Sequence, residues 1–253
     1  MHKLGGKVLD CYKEFAHIYD KLLYGDIDYK AWSNKIIDIC DELKIKKDSY
    51  LDLACGTGNM TKEIGGFFNN IWAVDMSSEM LSEAEAKLRN EKIKAKFVCQ
   101  DICNLNLNTK FNLVTCILDS TNYILELENL KQYLLGVYNH LMDGGIFIFD
   151  INSYYKLTNV LGNNLFNYDD DNIVYIWENV LDKNIVNMYL TFFIKDGEVY
   201  RRFDEHHIER AYKEETIDEL LLELGYKIIK KLDNYGYDSI NENTERIAYI
   251  VQK

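Results

Sequence analysis

The chain is constrained most by a series of short apolar runs that alternate with helical segments between residues 50 and 149. Near-continuous apolar runs of this length are typical of strands buried on both faces of a parallel sheet. The intervening segments carry apolar residues at helical spacing, and this alternation predicts a doubly wound α/β fold. The predicted strands lie at 50–54, 71–74, 96–99, 111–118 and 145–149, and the predicted helices lie within 8–45 and at 77–90 and 126–141.

The link between the third and fourth apolar runs is only about ten residues long, which is too short for a usual crossover helix. Periodicity therefore leaves the strand order open. After residue 150 the pattern changes to consecutive β-rich runs joined by DKN and KDG turns, which predict a three-stranded antiparallel meander. A helix at 213–224, closed by Gly225, and two further strands near 226–234 and 245–252 are predicted to end the chain.

We interpret residues 1–253 as one domain rather than two independent ones. Within it we distinguish a helical cap, a doubly wound core made of two segments, and a small antiparallel β insert between those segments. The predicted bounds are 1–47 for the cap, 48–152 and 213–253 for the core, and 153–212 for the insert.

Composition limits the class of protein. The formal net charge of -12 repels phosphate backbones and disfavours a nucleic-acid partner. No apolar run approaches the roughly 20 residues of a membrane span, and the first residues lack the apolar core of a signal peptide. The six cysteines and five histidines show no metal-ligand spacing, so we expect no metal and reduced thiols in a cytoplasmic protein.

Aspartates mark the ends of the predicted parallel strands. One such aspartate is ordinary turn chemistry, but a whole series beside a glycine-rich turn indicates a binding site. Ligands of open α/β sheets bind at the carboxyl ends of the strands, where these groups would accept hydrogen bonds and favour a cation. Asp52 lies inside the first strand, and Asp75, Asp101, Asp119 and Asp150 follow the others.

The glycine-rich turn ACGTGN follows the first strand and precedes a predicted helix. It is not a complete dinucleotide fingerprint, because Thr61 stands where the third glycine would be. It also lacks the lysine of a P-loop. Asp75 lies 17 residues after Gly58, at the end of the next strand, where a carboxylate would receive ribose hydroxyls. The turn therefore predicts a nucleoside ligand without a phosphate group to hold.

Five segments in order, LDLACGTGN, AVDMSSEML, FVCQDI, ILDSTNYI and LMDGGIFIFDIN, resemble the motifs of class I S-adenosylmethionine-dependent methyltransferases. FAHIYDKL and DYKAW resemble the helices that cap the cofactor in small-molecule members of that family. The layout is similar to glycine and amino-sugar N-methyltransferases and to bacterial methyltransferases of unassigned substrate. The resemblance implies a Rossmann-like seven-stranded sheet and S-adenosyl-L-methionine as the cofactor.

The resemblance also implies roles for single positions. Asp52, Gly56 and Gly58 would form the turn under the methionine part of the cofactor, and Ala54 replaces a common glycine there. Asp75 would bind both ribose hydroxyls. The other implied cofactor contacts are Met76 and Ile102 at the adenine, Asp101 on its amine, Asp119 at the methionine end, and Tyr19 and Trp32 as caps. A lone tryptophan on a helix is also a common core residue, so that alternative stays open for the second cap.

His207 is the candidate general base, because strand alternation places it on one face with Glu205. The motif E-x-H-x-x-R, which ends at Arg210, resembles the end of the family's antiparallel insert. A purely structural hydrogen-bond cluster of these three side chains is an equally good interpretation. Asn122, Tyr123 and Arg210 are the candidate substrate residues, with a core role left open for the tyrosine.

The expected acceptor is a small molecule methylated on nitrogen or oxygen. The chain has no proline, so it lacks both the N/D-P-P-Y loop of adenine-N6 enzymes and the Pro-Cys nucleophile of RNA cytosine-C5 enzymes. Two alternatives stay open: a tRNA- or protein-modifying methyltransferase, and a cofactor-binding module without catalysis. A nicotinamide oxidoreductase is disfavoured by the missing third glycine and catalytic pair. Both a monomer and a homodimer are consistent with the sequence.

Overall fold

A computed structural model of the chain describes residues 27–236 and 238–253. Its main sheet contains seven strands, numbered in chain order: β1 (Ser49–Leu53), β2 (Asn70–Asp75), β3 (Ala95–Cys99), β4 (Phe111–Cys116), β5 (Leu141–Asn152), β10 (Lys227–Asp233) and β11 (Arg246–Gln252). The order across the sheet is β3–β2–β1–β4–β5–β11–β10. The strands β1 to β5 are parallel, and β11 is antiparallel to both of its neighbours. The predicted Rossmann-like doubly wound sheet is confirmed.

The described α-helices are α1 (Tyr29–Glu42), α2 (Asn59–Gly65), α3 (Ser78–Asn90), α4 (Leu127–His140) and α5 (Glu214–Glu223). Side chains cap two of them at the first turn. The Asp28 carboxylate accepts a hydrogen bond from the Ala31 N–H at 2.9 Å, and the Ser77 hydroxyl accepts one from the Met80 N–H at 3.2 Å. None of the described helices is long and apolar enough to cross a membrane.

The strand order that periodicity left open is set by the link between β3 and β4. This link contains only a short helical turn at Ile102–Asn104, and it carries the chain from the edge strand β3 back past β2 and β1. The parallel strands added before and after this link therefore lie on opposite sides of β1. Such a reversal opens a crevice at the carboxyl ends of the strands, where ligands of α/β sheets bind.

The insert is a second sheet with four antiparallel strands, β6 (Leu165–Asp169), β7 (Ile173–Asp182), β8 (Ile185–Asp196) and β9 (Val199–Arg210). The last three are the predicted meander. The prediction of three strands was wrong by one, because the short β6 pairs with β7 and has too few residues to show an alternating pattern. A helical turn at Lys156–Leu161 packs beneath this sheet and joins it to the end of β5.

Apolar layers cover both faces of the main sheet. On one face, α4 and α5 pack against β-strand residues that include Phe147 and Phe149, whose rings stack at 4.7 Å. On the other face, α1 and α2 pack against the alternate residues of the same strands, such as Ile146 and Ile148. Both layers bury the middle of the sheet. The polar residues at the carboxyl ends of the strands are thereby placed at the edge of a rigid core.

Candidate active site

The turn after β1 holds the Asp75 carboxylate at the end of β2. The Gly56 N–H donates to Asp75 Oδ2 at 2.8 Å, and the Ser77 N–H donates to Oδ1 at 2.9 Å. Burial raises the pKa of Asp75, while these two backbone hydrogen bonds favour its charged form. A carboxylate offers about four acceptor positions, so Asp75 keeps capacity for two more donors such as a pair of hydroxyls.

Glycine is required at two positions of the turn, and the structural constraint differs between them. Both have left-handed backbones, with φ of 52° at Gly56 and 78° at Gly58. A Cβ on Gly58 would lie 3.0 Å from the Ala84 Cβ and 3.1 Å from a methyl carbon of Leu88, so α3 packs directly on this position. A Cβ on Gly56 would meet nothing within 4 Å, so this glycine borders open space beside Asp75.

Gly58→Ala is expected to lower the free energy of unfolding by about 2–4 kcal/mol, because it combines left-handed strain with a clash against α3. Gly56→Ala is the matched control, since it carries the same kind of strain without the clash and should cost about 1 kcal/mol. Denaturant titration of both variants measures the difference. Equal losses in the two variants would contradict the packing role given to Gly58.

Asp52 lies beneath the turn and is 1% exposed. Its two carboxylate oxygens accept hydrogen bonds from the Thr61 hydroxyl at 2.5 Å and from the Thr115 hydroxyl at 2.8 Å. Asp52 therefore ties β1 to α2 and β4 and supports the turn from below, instead of facing the open space. The sequence showed Thr61 only as a departure from the third glycine, and its role in fastening the helix through its hydroxyl was missed.

Burial raises the pKa of Asp52 to about 6, and the hydrogen bonds from the two threonines only partly oppose this shift. Because an unfolded aspartate titrates near pH 3.9, the stabilising contribution of this group is present below that pH and is lost as the pH rises through the folded pKa. Relative to wild type, Asp52→Asn should therefore gain up to about 3 kcal/mol between about pH 4 and pH 7. Denaturant titrations at both pH values test this, and a pH-independent difference would contradict it.

The residues assigned to the adenine lie on the β3 side of Asp75. Met76 is 77% exposed, and Ile102 packs partly against the core. The Asp101 carboxylate accepts a hydrogen bond from the Cys103 N–H at 2.9 Å and so starts the short helical turn. The Gln100 N–H donates to the Asp75 carbonyl, which brings this segment alongside β2. Their contacts with an adenine stay a prediction.

A buried ionic network closes the other side of the crevice. Leu118 and Asp119 both adopt left-handed backbones, with φ of 59° and 51°, and both of their N–H groups donate to the Asp150 carboxylate at 2.9 and 2.7 Å. Arg246 bridges the two acids, with Nη1 on Asp150 and Nη2 on Asp119 Oδ1 at 2.7 Å. The hydroxyl of Tyr235 completes the shell of Asp150 at 2.8 Å.

Trp32 lies behind this network. Its ring stacks on Tyr235 with the centroids 4.5 Å apart, and the Arg246 guanidinium lies 5.6 Å from its ring centroid. Trp32 is buried, and these contacts connect α1 to the Asp119 side of the crevice through the arginine. A direct contact of Trp32 with a ligand stays a prediction. The other predicted cap, Tyr19, lies outside the described residues.

His207 lies in a hydrogen-bonded chain across the mouth of the crevice. Its Nε2 is 2.7 Å from Glu205 Oε2, and its Nδ1 is 3.3 Å from the Tyr123 hydroxyl. The second oxygen of Glu205 is buried and has no hydrogen-bond partner within the described part of the chain. The Glu205 carboxylate on Nε2 and the Tyr123 hydroxyl on Nδ1 orient the imidazole, so that its Nδ1 faces the exposed tyrosine end of the chain.

The side chains of two predicted substrate residues form hydrogen bonds with the backbone of the protein. The Asn122 side chain is buried, donates to the carbonyls of Asn152 and Arg210, and accepts from the Asn152 N–H. These contacts use both of its amide hydrogens. Arg210 donates to the Leu125 carbonyl and, by strand alternation, lies on the opposite face of β9 from His207. The three-residue cluster considered from the sequence is therefore reduced to the pair Glu205 and His207.

Sequence reasoning missed a buried carboxyl group, Glu209, on the same face of β9 as Glu205 and His207. Glu209 is 3% exposed and accepts a hydrogen bond from the Asn152 side chain at 2.9 Å. The pKa of Glu209 is raised to about 8, mainly by burial and to a lesser extent by the negative charge of the nearby Asp119. Alternation at positions 205, 207 and 209 was a signal that could have found it.

A lysine missed by sequence reasoning stands beside Glu209. The Lys156 ammonium donates to the Asn152 side-chain oxygen at 3.0 Å. The pKa of Lys156 is lowered, mainly by burial and to a lesser extent by the positive charge of Arg246. The inner face of β9 and the end of β5 therefore bring together a cluster of largely buried polar and ionisable side chains. We call this the acceptor chamber, defined by Glu205, His207, Glu209, Asn152 and Lys156.

Comparisons with known proteins fit this geometry. The profile of a methyltransferase domain family matches residues 51–145, which contain the glycine turn and the strand-end aspartates. A crystal structure of an S-adenosylmethionine-dependent methyltransferase from Clostridium acetobutylicum is 56% identical, with a TM-score of 0.91, over 96% of this chain and 99% of that one.

Two curated relatives extend this similarity. A protein of Geobacillus sp. with a provisional methyltransferase name is 29% identical over 253 residues, which cover 96% of this chain and 99% of the relative. A Streptomyces venezuelae enzyme, dTDP-3-amino-3,4,6-trideoxy-alpha-D-glucopyranose N,N-dimethyltransferase, is 22% identical over 220 residues, which cover 85% of this chain and 91% of that enzyme. The similarity to the Geobacillus protein, which covers 96% of this chain, extends well beyond the residues matched by the methyltransferase domain profile.

Proposed function

The chain belongs to the class I S-adenosylmethionine-dependent methyltransferases, and from that premise we propose that it methylates a nitrogen or oxygen of a small-molecule acceptor. The observation that carries this proposal is the acceptor chamber, in which a histidine hydrogen-bonded to Glu205 shares one face of β9 with the buried carboxyl group of Glu209. The amino-sugar substrate named for the Streptomyces venezuelae relative supports a small polar acceptor.

The residues on the donor side fit the cofactor. Asp75 has acceptor positions left for the ribose hydroxyls, and Gly56 leaves room beside it. When bound, S-adenosylmethionine supplies a methyl group activated by its positively charged sulfur. The Asp75 carboxylate and the network beside it, in which the two acids Asp119 and Asp150 share one arginine, give a field that favours a cation. Because the methyl group is already activated, the main task of the chain is to align the acceptor and exclude water, which supplies about 7–11 kcal/mol in favourable cases.

The Tyr123–His207–Glu205 chain provides a route for the acceptor's proton. The tyrosine hydroxyl is at the exposed end, and the buried glutamate stabilises the imidazolium at the other end. An amine or hydroxyl placed against the chain would lose its proton to His207 before or during transfer. We also propose that the enzyme works in a reducing compartment such as the cytoplasm, because the five described cysteines are free thiols.

His207→Ala is expected to lower kcat by about 100-fold, because it removes the general base. The Michaelis constant for S-adenosylmethionine should change little, since the histidine lies on the acceptor side. His206→Ala is the matched control, because His206 is the neighbouring histidine on the exposed face of β9. Steady-state rates on the identified acceptor measure the effect, and unchanged turnover of His207→Ala would show that its cluster is structural.

The proposed function is tested by transfer of labelled methyl groups into a panel of small amines, amino sugars and hydroxyl compounds. Bulk RNA and a protein extract form two parallel arms. Label in a small-molecule fraction, lost in the Asp75→Ala variant, is the expected result. Label confined to RNA or protein would overturn the small-molecule assignment, and no transfer in any arm would favour a module without catalysis.

A further inference from the structure

We propose that a cavity on the opposite side of β9 from the acceptor chamber is a binding site for a small molecule that carries a diphosphate group. The cavity has a volume of about 370 Å³ and lies where β9, the β7–β8 turn and the start of α5 meet. We call it the basic cavity, defined by its three cationic lining residues Lys183, Arg210 and Lys213. It lies outside the proposed methyl-transfer site, and of its three cations only Arg210 belongs to a motif noted in the sequence.

Charge selects the class of ligand. The described residues that line the basic cavity include three cations and no aspartate or glutamate. Within the described chain, no carboxylate pairs with either Lys183 or Lys213. The net charge of -12 does not cancel this local field, because charges more than about 8 Å away are largely screened at physiological salt.

Arg210 forms the inner wall of the cavity, and only some of the hydrogen-bond donors of its guanidinium have partners among the described residues. One terminal nitrogen of its guanidinium donates to the Leu125 carbonyl at 2.5 Å, which fixes the side chain in place. Its Nε is buried and has no hydrogen-bond partner among the described residues. A fixed planar guanidinium with an unused donor pairs with two oxygens of a phosphate group better than a mobile surface arginine does.

The rest of the lining adds donors and flat surfaces. Thr216, which lines the cavity at the first turn of α5, carries a hydroxyl that can donate a hydrogen bond, while its N–H already donates to the Lys213 carbonyl at 3.1 Å. That turn carries two acidic side chains: Glu214 is bonded to Lys231 on the sheet, and Glu215 is exposed and is not among the residues that line the cavity. Two aromatic rings, those of Tyr154 and Tyr212, complete the wall. The number of cations favours a diphosphate over a single phosphate.

The test is calorimetric titration of the full chain with inorganic pyrophosphate at about 0.15 M salt. Both lysines are exposed, so the double variant Lys183→Gln/Lys213→Gln should fold normally, and its melting curve checks this. We expect saturable binding to the wild type and at least about tenfold weaker binding to the double variant, as the loss of two local charges requires. Lys195→Gln, which removes an exposed lysine at the far end of the insert, should leave binding unchanged.

Further arms identify the ligand and separate this site from the donor site. Tighter binding of a nucleoside diphosphate than of pyrophosphate would support a ligand that also contacts the tyrosine rings, and equal binding would support recognition of the diphosphate alone. Affinity for S-adenosylhomocysteine should be the same in the wild type and the double variant. No saturable pyrophosphate binding, or an equal loss in Lys195→Gln, would overturn the proposal.

Discussion

Asp75→Ala is expected to weaken the binding of S-adenosylhomocysteine by at least about 100-fold while the protein stays folded. The carboxylate has two acceptor positions filled by the N–H groups of Gly56 and Ser77, and its two remaining positions would take the ribose hydroxyls. A hydrogen bond to a charged group contributes about 1.5–3 kcal/mol, so two such bonds correspond to about 100-fold or more in affinity. Isothermal titration calorimetry measures the change directly.

The control for this variant is Asp143→Ala. Asp143 is an exposed acid near the start of β5, at the opposite end of the parallel strands from the crevice, so its removal changes the net charge without touching the site. We expect its affinity for S-adenosylhomocysteine to match the wild type. Binding to Asp75→Ala within about threefold of the wild type would exclude the ribose role of this carboxylate.

Asp150→Ala is expected to lower the free energy of unfolding by about 3–5 kcal/mol, the range for breaking a buried ion pair. The carboxylate is fully buried and neutralises part of the charge of Arg246. It also accepts hydrogen bonds from the N–H groups of Leu118 and Asp119. Both of these residues have a left-handed backbone conformation, which residues other than glycine rarely adopt. Its removal leaves a buried cation and a strained turn without support, so cofactor affinity should fall as well. Urea titration measures the loss of stability.

A double-mutant cycle with Arg246→Met separates the ion pair from the turn. Because each single variant leaves one charge buried without its partner, the double variant Asp150→Ala/Arg246→Met should lose clearly less stability than the sum of the two single losses. Losses that add to within about 0.5 kcal/mol would mean that the two side chains are not coupled.

The features that were predicted well from the sequence are those that depend on the pattern of residues close together in the chain. The parallel strands, the glycine turn and the aspartates at the strand ends depend on local periodicity and on the rule that ligands bind at the carboxyl ends of strands. The structure accordingly places Asp75 beside Gly56, as the spacing indicated. The antiparallel insert was also visible from its turns, apart from the short strand β6.

The features that the sequence could not show depend on contacts between distant residues. Arg246 is 96 and 127 residues away from its two acidic partners, and nothing in its local pattern marks it as part of the crevice. Asp52 was placed at the ligand side of the turn, but its burial between Thr61 and Thr115 appears only when α2 and β4 are both in position.

Backbone strain was a second feature that the sequence did not show. Ala54 stands where the resemblance noted a common glycine, and the structure shows that it has a φ of 49°, a left-handed value that glycine adopts without strain. Two more side-chain residues, Leu118 and Asp119, share this conformation after β4. Since strained backbones collect at functional sites, the three positions mark the two turns that border the crevice.

The most direct test of the central claim is a crystal structure of the chain with S-adenosylhomocysteine. The proposal predicts that both ribose hydroxyls lie within hydrogen-bond distance of the Asp75 carboxylate. It also predicts that the sulfur faces the acceptor chamber, with Glu209 and His207 across from it. A nucleoside bound elsewhere, or a sulfur turned away from the chamber, would contradict the account of this site.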